Sequence, residues 1–161
     1  MSSVSSPRRH WLKAALLAPG AGVVLTAPVV AAELPEPASL ADELIQAQAQ
    51  GNPLLVIVTL RGCPFCKIAT ENYLIPLRRE QGVPIVQINM RSGQAIQGFG
   101  GAAQTHASLS QLWGIKVAPT VLFFGRGGVE VAERLVGGYL PDFYGAYLDE
   151  RVRVARLALR G

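Results

Sequence analysis

The sequence predicts a single α/β domain in which a central mixed sheet is flanked by helices. An apolar run at residues 54–60 precedes Cys63 and Cys66, and an alternating run at residues 83–90 follows the helical pattern after them. A strand, a helix and a second strand in that order imply a parallel pair joined by a crossover. A glycine-rich turn at residues 125–128 joins an apolar strand at residues 121–124 to a partner strand at residues 129–136 as an antiparallel hairpin. The length of 161 residues fits one domain.

The charge of the chain argues against a nucleic-acid partner. The formal net charge is +4, but three of the basic residues and none of the acidic ones fall within residues 1–32. Residues 33–161 carry 12 basic and 11 acidic side chains. This balance lacks the basic excess that binding to a phosphate backbone requires.

Residues 1–32 have the order of regions found in an export signal. Three basic residues precede an uncharged stretch at residues 14–32, which ends in small residues before Glu33. This pattern predicts a cleaved secretory signal, and therefore a periplasmic protein. The sequence SPRRHWLK at residues 6–13 is also similar to a twin-arginine signal, so both export routes stay open. A retained inner-membrane anchor is a further alternative, which the prolines and glycines of the stretch disfavour.

The chain after the signal begins with a Pro-rich lead-in at residues 33–38, expected to be mobile, and residues 39–161 form the domain. Ser39 is suited to cap a first helix because Asp42 and Glu43 stand in the turn that follows it. The inward face of that helix is predicted to comprise Leu40, Leu44, Ile45 and Ala47. The uninterrupted apolar run after it is typical of a strand buried on both faces of a sheet.

Cys63 and Cys66 are the only cysteines, and they stand where the first strand gives way to a helix. A helix that begins at Cys63 directs unpaired backbone N–H groups and the positive end of its dipole at that sulfur. Both favour the thiolate, which is the nucleophilic form of cysteine. Pro64 fits the first helical turn, where its missing N–H costs little. The pattern predicts a redox-active dithiol, because Cys66 lies one turn on and can close a disulfide.

Other roles for the cysteine pair have less support. A structural zinc site usually needs four Cys or His ligands, whereas His106 is the one histidine outside residues 1–32. A purely structural disulfide across so short a loop constrains the unfolded chain little. A Cu(I) site on the two thiolates stays open as an alternative, with Met90 and His106 as candidate further ligands.

The helix after Cys63 is expected to turn its apolar side chains inward and to break or kink at Pro76. Those side chains are Ile68, Ala69 and Leu74. Later in the chain, a short helix is predicted from Ser108 to Trp113, and Asp142 is expected to cap a final helix with a basic end. The inward face of the final helix is predicted to comprise Phe143, Tyr147, Leu148, Val152, Ala155 and Leu159.

Residues 91–107 mix glycine with glutamine, serine and threonine, which indicates a flexible polar excursion. His106 at the end of this excursion is expected to be exposed to solvent rather than catalytic. Phe99 is expected to anchor the excursion on the domain through its apolar area, with contact to a partner as the alternative.

Residues 111–120, with the sequence QLWGIKVAPT, carry a second motif. Together with the dithiol and the order of elements, this segment resembles the thioredoxin fold over residues 39–159. The resemblance implies a cis peptide bond between Ala118 and Pro119, opposite the dithiol. It also implies that Pro119 packs beside the sulfur of Cys63 and that the backbone of Ala118 binds a substrate strand.

The likeness to thioredoxin is incomplete. Ile57 stands where thioredoxin usually has a buried carboxylate, Gly62 replaces the tryptophan before the first cysteine, and Pro119 lies farther along the chain. The pair Pro64-Phe65, expected to form the active-site loop, is closer to the Pro-Tyr pair of glutaredoxins. The chain is most similar to periplasmic thioredoxin-like proteins, including those found with sulfur-oxidation systems.

The resemblance implies a thiol-disulfide oxidoreductase that reduces protein disulfides and whose only redox group is the Cys63–Cys66 disulfide. Cys63 is expected to attack the substrate disulfide and Cys66 to resolve the mixed disulfide. Arg61 and Lys67 either add positive charge near Cys63 or are simply solvated. Phe65 is expected to be exposed beside the sulfur. The alternative is a disulfide-introducing oxidant or an isomerase, although an isomerase usually needs a dimerisation module.

The partners follow from the same interpretation. The sequence has no nucleotide-binding fingerprint, so electrons are expected from a membrane or periplasmic dithiol protein. The protein is expected to act as a monomer on protein disulfides, without a bound metal or other cofactor. A retained signal would tether it to the membrane.

Overall fold

The computed structural model describes residues 33–138 and 141–161, and Ala31–Gly161 forms one compact unit. The predicted export signal lies outside the described residues. Within the described part of the chain, no helix is both long enough and apolar enough to cross a membrane. The described helices are α1 Leu40–Ala49, α2 Pro64–Ala69, α3 Ile75–Gln81, α4 His106–Leu112 and α5 Pro141–Ala158. The described strands are β1 Leu54–Thr59, β2 Ile85–Asn89, β3 Ala95–Gln97, β4 Ala103–Thr105, β5 Thr120–Phe124 and β6 Glu130–Val136.

Four of these strands form the central sheet, in the order β2, β1, β5, β6. β1 runs parallel to β2 and antiparallel to β5, and β5 runs antiparallel to β6. The predicted mixed sheet is therefore confirmed. The crossover from β1 to β2 begins at the dithiol, so both cysteines lie near the edge of the sheet where these two parallel strands end.

The central strand β1 is buried on both faces, as its uninterrupted apolar sequence predicts. Its side chains alternate between the two faces of the sheet. Ile57 packs into a cluster with Leu148 of α5, whereas Val56 packs into a second cluster with Leu40 of α1. All four side chains are at most 2% exposed. Each such burial contributes about 1.5–3 kcal/mol relative to an exposed side chain.

Helix α1 begins as predicted, because the Asp42 N–H donates a 3.2 Å hydrogen bond to Oγ of Ser39. The predicted break or kink at Pro76 takes the form of an irregular turn just before the proline, and the chain stays helical through it. A π-helical turn at Thr70–Leu74 joins α2 to α3, and Pro76 stands in the first turn of α3. There its missing N–H is tolerated. Gly82, with φ of 64°, then ends the helix in the left-handed conformation.

The predicted helix faces are wrong at several positions. Ile45 of α1 is 66% exposed and Ile68 of α2 is 39% exposed. Phe143 and Tyr147 of α5 also face solvent, whereas Tyr144, which was not predicted to face inward, is buried at 4% exposure. A helix buries only the stripe that meets its neighbours, so an apolar residue one step to the side stays outside.

The ends of the two later helices also differ from the prediction. α4 begins at His106 rather than Ser108, because Thr105 is its N-cap and Ser108 completes a capping box. α5 begins at Pro141, one residue before the predicted cap Asp142. Asp142 therefore lies within the helix.

The lead-in at residues 33–38, predicted to be mobile, is packed against the domain. Leu34 is 2% exposed and belongs to the same apolar cluster as Ile57. The Gln87 N–H of β2 donates a 2.9 Å hydrogen bond to the carbonyl of Pro35. Burial of one leucine and a backbone hydrogen bond together hold the segment along the outer edge of β2.

The excursion at residues 91–107 is ordered rather than flexible. β3 and β4 pair as an antiparallel ribbon, and a bridge from Gln97 to Ser39 fixes it to the start of α1. Phe99 packs between Trp113 and Phe124, with ring centroids 6.3 and 4.6 Å away. The expectation that Phe99 anchors the excursion is therefore confirmed.

His106, expected to be exposed, is fully buried. Its Nδ1 accepts a 3.3 Å hydrogen bond from the Asn89 N–H at the end of β2. Its Nε2 is buried and has no hydrogen-bond partner among the described residues. Burial lowers the pKa of His106 below its usual value, and the nearby Glu36 carboxylate partly offsets this effect.

Candidate active site

Cys63 occupies the N-cap of α2, directly after the tight turn that leaves β1. Gly62 adopts φ of 75°, which favours glycine, and the Cys63 N–H donates a 3.1 Å hydrogen bond to the Leu60 carbonyl. The Cys66 N–H donates a 3.1 Å hydrogen bond to Sγ of Cys63. When the pair is reduced, this amide stabilises negative charge on that sulfur.

Cys63 and Cys66 form a disulfide, with Cα atoms 5.3 Å apart. Their exposure is unequal, because Cys66 is 5% exposed whereas Cys63 is only partly buried. An incoming disulfide can reach Cys63 more easily than Cys66. This difference in exposure agrees with the predicted roles, in which Cys63 attacks the substrate disulfide and Cys66 resolves the mixed disulfide.

The segment before β5 faces the dithiol. The Ala118–Pro119 peptide bond is cis, and the carbonyl oxygen of Ala118 lies 3.8 Å from Sγ of Cys63. Pro119 is buried, and its carbonyl accepts a 2.8 Å hydrogen bond from the Gly137 N–H. Among the described residues, none accepts a hydrogen bond from the Ala118 N–H, so this donor is available to an extended substrate backbone.

Gly138 lies at the site, although it is not among the site residues predicted from the sequence. A Cβ atom at this position would lie 3.3 Å from Cγ of Pro119 and 3.5 Å from Cβ of Phe65. Its missing side chain therefore lets the end of β6 approach the active-site loop and the proline together. The sequence signal that could have identified this residue is the pair Gly137-Gly138. It directly follows a strand that was expected to pair with the strand after Ala118 and Pro119.

The predicted active-site loop lies at the surface. Pro64 stands in the first turn of α2 and is exposed. Phe65 is 51% exposed and presents an apolar ring next to Cys63. The structure thus brings the loop of Pro64 and Phe65, the two cysteines and the Ala118–Pro119 turn to one face of the domain.

Ile57 occupies the position at which the resemblance implies a buried carboxylate. It is fully buried, and its register partners are Gln87 on β2 and Val121 on β5. None of these three side chains can accept a proton from Cys66 as a carboxylate does. Proton transfer at this dithiol must therefore use another route.

A groove of about 760 Å³ opens beside the sulfurs. Its lining includes both cysteines, Thr59 and Asn89 from the ends of β1 and β2, and the side chains of Glu33 and Glu71. Ala118 and Pro119 are not among its lining residues. The groove therefore provides polar, water-accessible space on a side of the dithiol that the proline does not cover.

Residues 33–138 and 141–161 contain no group of three or more His, Cys, Asp and Glu side chains that could hold a metal ion. The two histidine nitrogens of the copper alternative are buried, and Nδ1 already accepts a hydrogen bond.

A dithiol at a helix start, opposite an X-Pro turn of a four-stranded mixed sheet, defines the class of thiol-disulfide exchange proteins. Residues 40–151 match the family model described as "Thioredoxin-like domain". The chain belongs to this family, and its Cys63–Cys66 motif makes it a thiol-disulfide oxidoreductase.

Solved structures show the same fold. Mitochondrial thioredoxin 3 from Saccharomyces cerevisiae is 12% identical, with 74% of this chain and 93% of that chain covered and a TM-score of 0.51. Thioredoxin from Fasciola hepatica is 17% identical, with 74% and 97% covered and a TM-score of 0.51. At these identities the likeness supports the fold alone. The sequence has no significant match among curated proteins.

Proposed function

We propose that the protein reduces disulfides of protein substrates in the periplasm, with Cys63 as the nucleophile and Cys66 as the resolving cysteine. The observation that carries this proposal is the asymmetry of the dithiol. The sulfur of Cys63 accepts the Cys66 N–H and is partly accessible, while Cys66 is 5% exposed. A stabilised, accessible thiolate is the nucleophile that disulfide exchange requires.

The reaction has two exchange steps. The Cys63 thiolate attacks one sulfur of the substrate disulfide; a Cys63–substrate disulfide forms, and the other substrate sulfur leaves as a thiolate. Cys66 then loses its proton and attacks Sγ of Cys63, which closes the Cys63–Cys66 disulfide and releases the second substrate thiolate. The substrate gains two electrons and takes up protons, and the enzyme dithiol loses two electrons.

Three features of the site serve substrate binding in this proposal. The Ala118 backbone offers hydrogen bonds to an extended segment, as in strand addition. Pro119 packs beneath that segment next to the sulfur. Phe65 supplies exposed apolar area on the other side of Cys63.

The periplasmic location rests on the pattern of residues 1–32, and it fits a compartment in which disulfides persist. There the oxidised enzyme must be reduced again by a membrane or periplasmic dithiol partner. The disulfide itself is the redox group, and the mechanism requires no other cofactor. We assign the chain to the periplasmic thioredoxin-like proteins, a group that includes those accompanying sulfur-oxidation systems.

Serine substitutions test the two roles. Cys63→Ser should abolish reduction of a disulfide-bonded protein substrate. Cys66→Ser should accumulate a mixed disulfide that is visible by mass under non-reducing conditions. The double variant is the control, because it should form no adduct. Full activity in Cys63→Ser would refute the assignment.

The direction of electron flow is tested by the equilibrium potential of the Cys63–Cys66 couple in a glutathione buffer. A value near about −270 mV, as in thioredoxin, supports a reductase. A value of about −120 mV would instead identify a disulfide-introducing oxidant.

Fractionation of cells that express the full chain tests the location. The proposal requires that the protein is found in the periplasmic or membrane fraction.

A further inference from the structure

The second exchange step requires that Cys66 lose a proton, and Ile57 stands where the resemblance implies a carboxylate for this purpose. Cys66 is 5% exposed, and burial opposes the ionised form of a thiol. The register partners of Ile57 are Gln87 and Val121, whose side chains are not bases. The proton acceptor must therefore lie where Cys66 meets polar space.

Cys66 meets polar space at the groove, which it helps to line. The groove volume of about 760 Å³ is many times the roughly 30 Å³ that one water molecule occupies in the liquid. Apart from the cysteines, the charged residues of the lining are Glu33, Arg61, Lys67 and Glu71. The two carboxylates can accept a proton at neutral pH, whereas the two cations are donors only. Water in the groove can therefore carry a proton from Cys66 to Glu71 or to Glu33.

Glu71 belongs to the same helical segment as Cys66. The Thr70 N–H donates a hydrogen bond to the Cys66 carbonyl, so α2 continues into the π-helical turn without interruption. Nζ of Lys67, the residue directly after Cys66, lies 3.9 Å from Oε1 of Glu71. This contact draws the Glu71 carboxylate back along the helix toward Cys66. The Lys67 and Glu71 side chains are 73% and 55% exposed, so the pair is weak and leaves Glu71 in contact with water.

Glu33 lies toward the other end of β2. It also lines a second cavity, together with Pro84 and Ile85 at the start of that strand, whereas β2 meets the dithiol at its end. The buried Leu34 and the hydrogen bond to the Pro35 carbonyl fix the backbone next to Glu33. Glu33 is therefore the less favourable of the two acceptors.

We propose that Glu71 accepts the proton of Cys66 through groove water during resolution. The Cys66 S–H bond breaks, its proton passes to a water molecule, and that water gives a proton to the Glu71 carboxylate. The Cys66 thiolate attacks Sγ of Cys63, the Cys63–substrate disulfide breaks, and the substrate sulfur leaves as a thiolate. Protonated Glu71 then returns its proton to solvent. This inference rests on the proposed reductase function and adds a residue to its second step.

Single-turnover kinetics separate the two exchange steps. Reduced protein is mixed with a peptide dimer joined by one disulfide and quenched with acid, and the Cys63–peptide adduct and the closed Cys63–Cys66 disulfide are quantified by mass. Glu71→Gln should form the adduct at the wild-type rate, because the Cys66 N–H still stabilises the Cys63 thiolate. It should resolve the adduct about tenfold more slowly at about pH 6.5, because the general base is lost.

The pH dependence distinguishes a lost base from a disturbed structure. As the pH approaches about 9, a growing share of a thiol ionises without a base, since its ordinary pKa is about 8.5. Resolution in Glu71→Gln should therefore approach the wild-type rate there. Glu71→Asp keeps a carboxylate and should resolve the adduct faster than Glu71→Gln.

Two further glutamate substitutions are matched controls. Glu33→Gln removes the other carboxylate of the groove, and Glu80→Gln makes the same change on α3 at a residue that does not line the groove. Both should resolve the adduct within about twofold of the wild-type rate, since neither residue supplies the base.

The outcomes separate this inference from the proposed function. Three results would overturn the role of Glu71 and leave the reductase intact: equal resolution in Glu71→Gln and the wild type, a deficit that persists at high pH, or an equal deficit in Glu33→Gln or Glu80→Gln. If the wild type forms neither the adduct nor the closed disulfide, with the peptide dimer or with any protein disulfide, the proposed reductase function fails and this inference fails with it.

Discussion

Lowering the pH is expected to destabilise the domain through His106. At neutral pH the imidazole carries its proton on Nε2, because Nδ1 accepts the hydrogen bond from the Asn89 N–H. Protonation of Nδ1 would place its new N–H directly against the Asn89 N–H. Two hydrogen-bond donors would then face each other at a fully buried position. Burial lowers the pKa of His106 in the folded protein, and the Glu36 carboxylate only partly offsets this effect.

The size of the effect follows from linkage. Because the folded pKa is below the unfolded value of about 6.5, the unfolded chain binds the proton first as the pH falls. The stabilisation is fully present above about pH 6.5. Below it, the free energy of unfolding decreases by at most about 1.4 kcal/mol per pH unit, until the folded histidine itself titrates.

Urea denaturation of the wild type and of His106→Asn, at several values from about pH 7.5 to about 5.5, measures this slope. The asparagine amide oxygen can accept the Asn89 N–H but does not titrate in this range. The wild type should lose stability more steeply than the variant below about pH 6.5. His10, the other histidine, is common to both proteins. Parallel curves over the whole range would refute the reasoning.

Three further substitutions and one control substitution test other parts of the structure. Leu34→Ala should lower the free energy of unfolding by about 3 kcal/mol in urea denaturation, whereas Ile45→Ala, at an exposed position, should stay within about 0.5 kcal/mol. Ile57→Asp should destabilise by at least about 2 kcal/mol, and the loss should grow above about pH 4, because the unfolded Asp ionises and the buried one resists ionisation. Gly138→Val should reduce kcat/KM for a disulfide substrate by at least about tenfold with the fold retained, because its side chain displaces Pro119 from the sulfur; unchanged kinetics would contradict that placement.

The sequence predicted the central sheet well because the information there is local. The run at residues 54–60 is apolar without interruption, and only a strand buried on both faces uses such a run over so short a length. The dithiol position was equally predictable, since Gly62 permits the tight turn before Cys63 and Pro64 favours the first turn of a helix directly after it. Local sequence signals were therefore enough to predict strand β1, the turn at Gly62 and the position of Cys63.

The buried faces of the helices were harder to predict, and so were the contacts between segments that are distant in sequence. Ile68 and Tyr147 are apolar by composition, yet their exposure is decided by which neighbours cover each helix. His106 is polar, yet it is fully buried and its Nδ1 accepts a hydrogen bond from Asn89, a residue 17 positions earlier at the end of β2. Gly138 reaches the site only through the pairing of β5 with β6. Such positions depend on tertiary packing, which overrides intrinsic preference.

The lead-in along β2 has a consequence for self-association. An uncovered outer strand offers free N–H and C=O groups to a strand of another molecule, which is a common start of aggregation. At the outer edge of β2, the Pro35 carbonyl accepts a hydrogen bond from the Gln87 N–H. Pro35 has no backbone N–H of its own, so it cannot donate a hydrogen bond to a further strand. At the opposite border, β6 carries Glu130, Glu133 and Arg134, charges that discourage strand addition. A variant that begins at residue 39 would lack the lead-in and would leave the outer edge of β2 uncovered. We expect oligomers of this variant to form by strand pairing at β2.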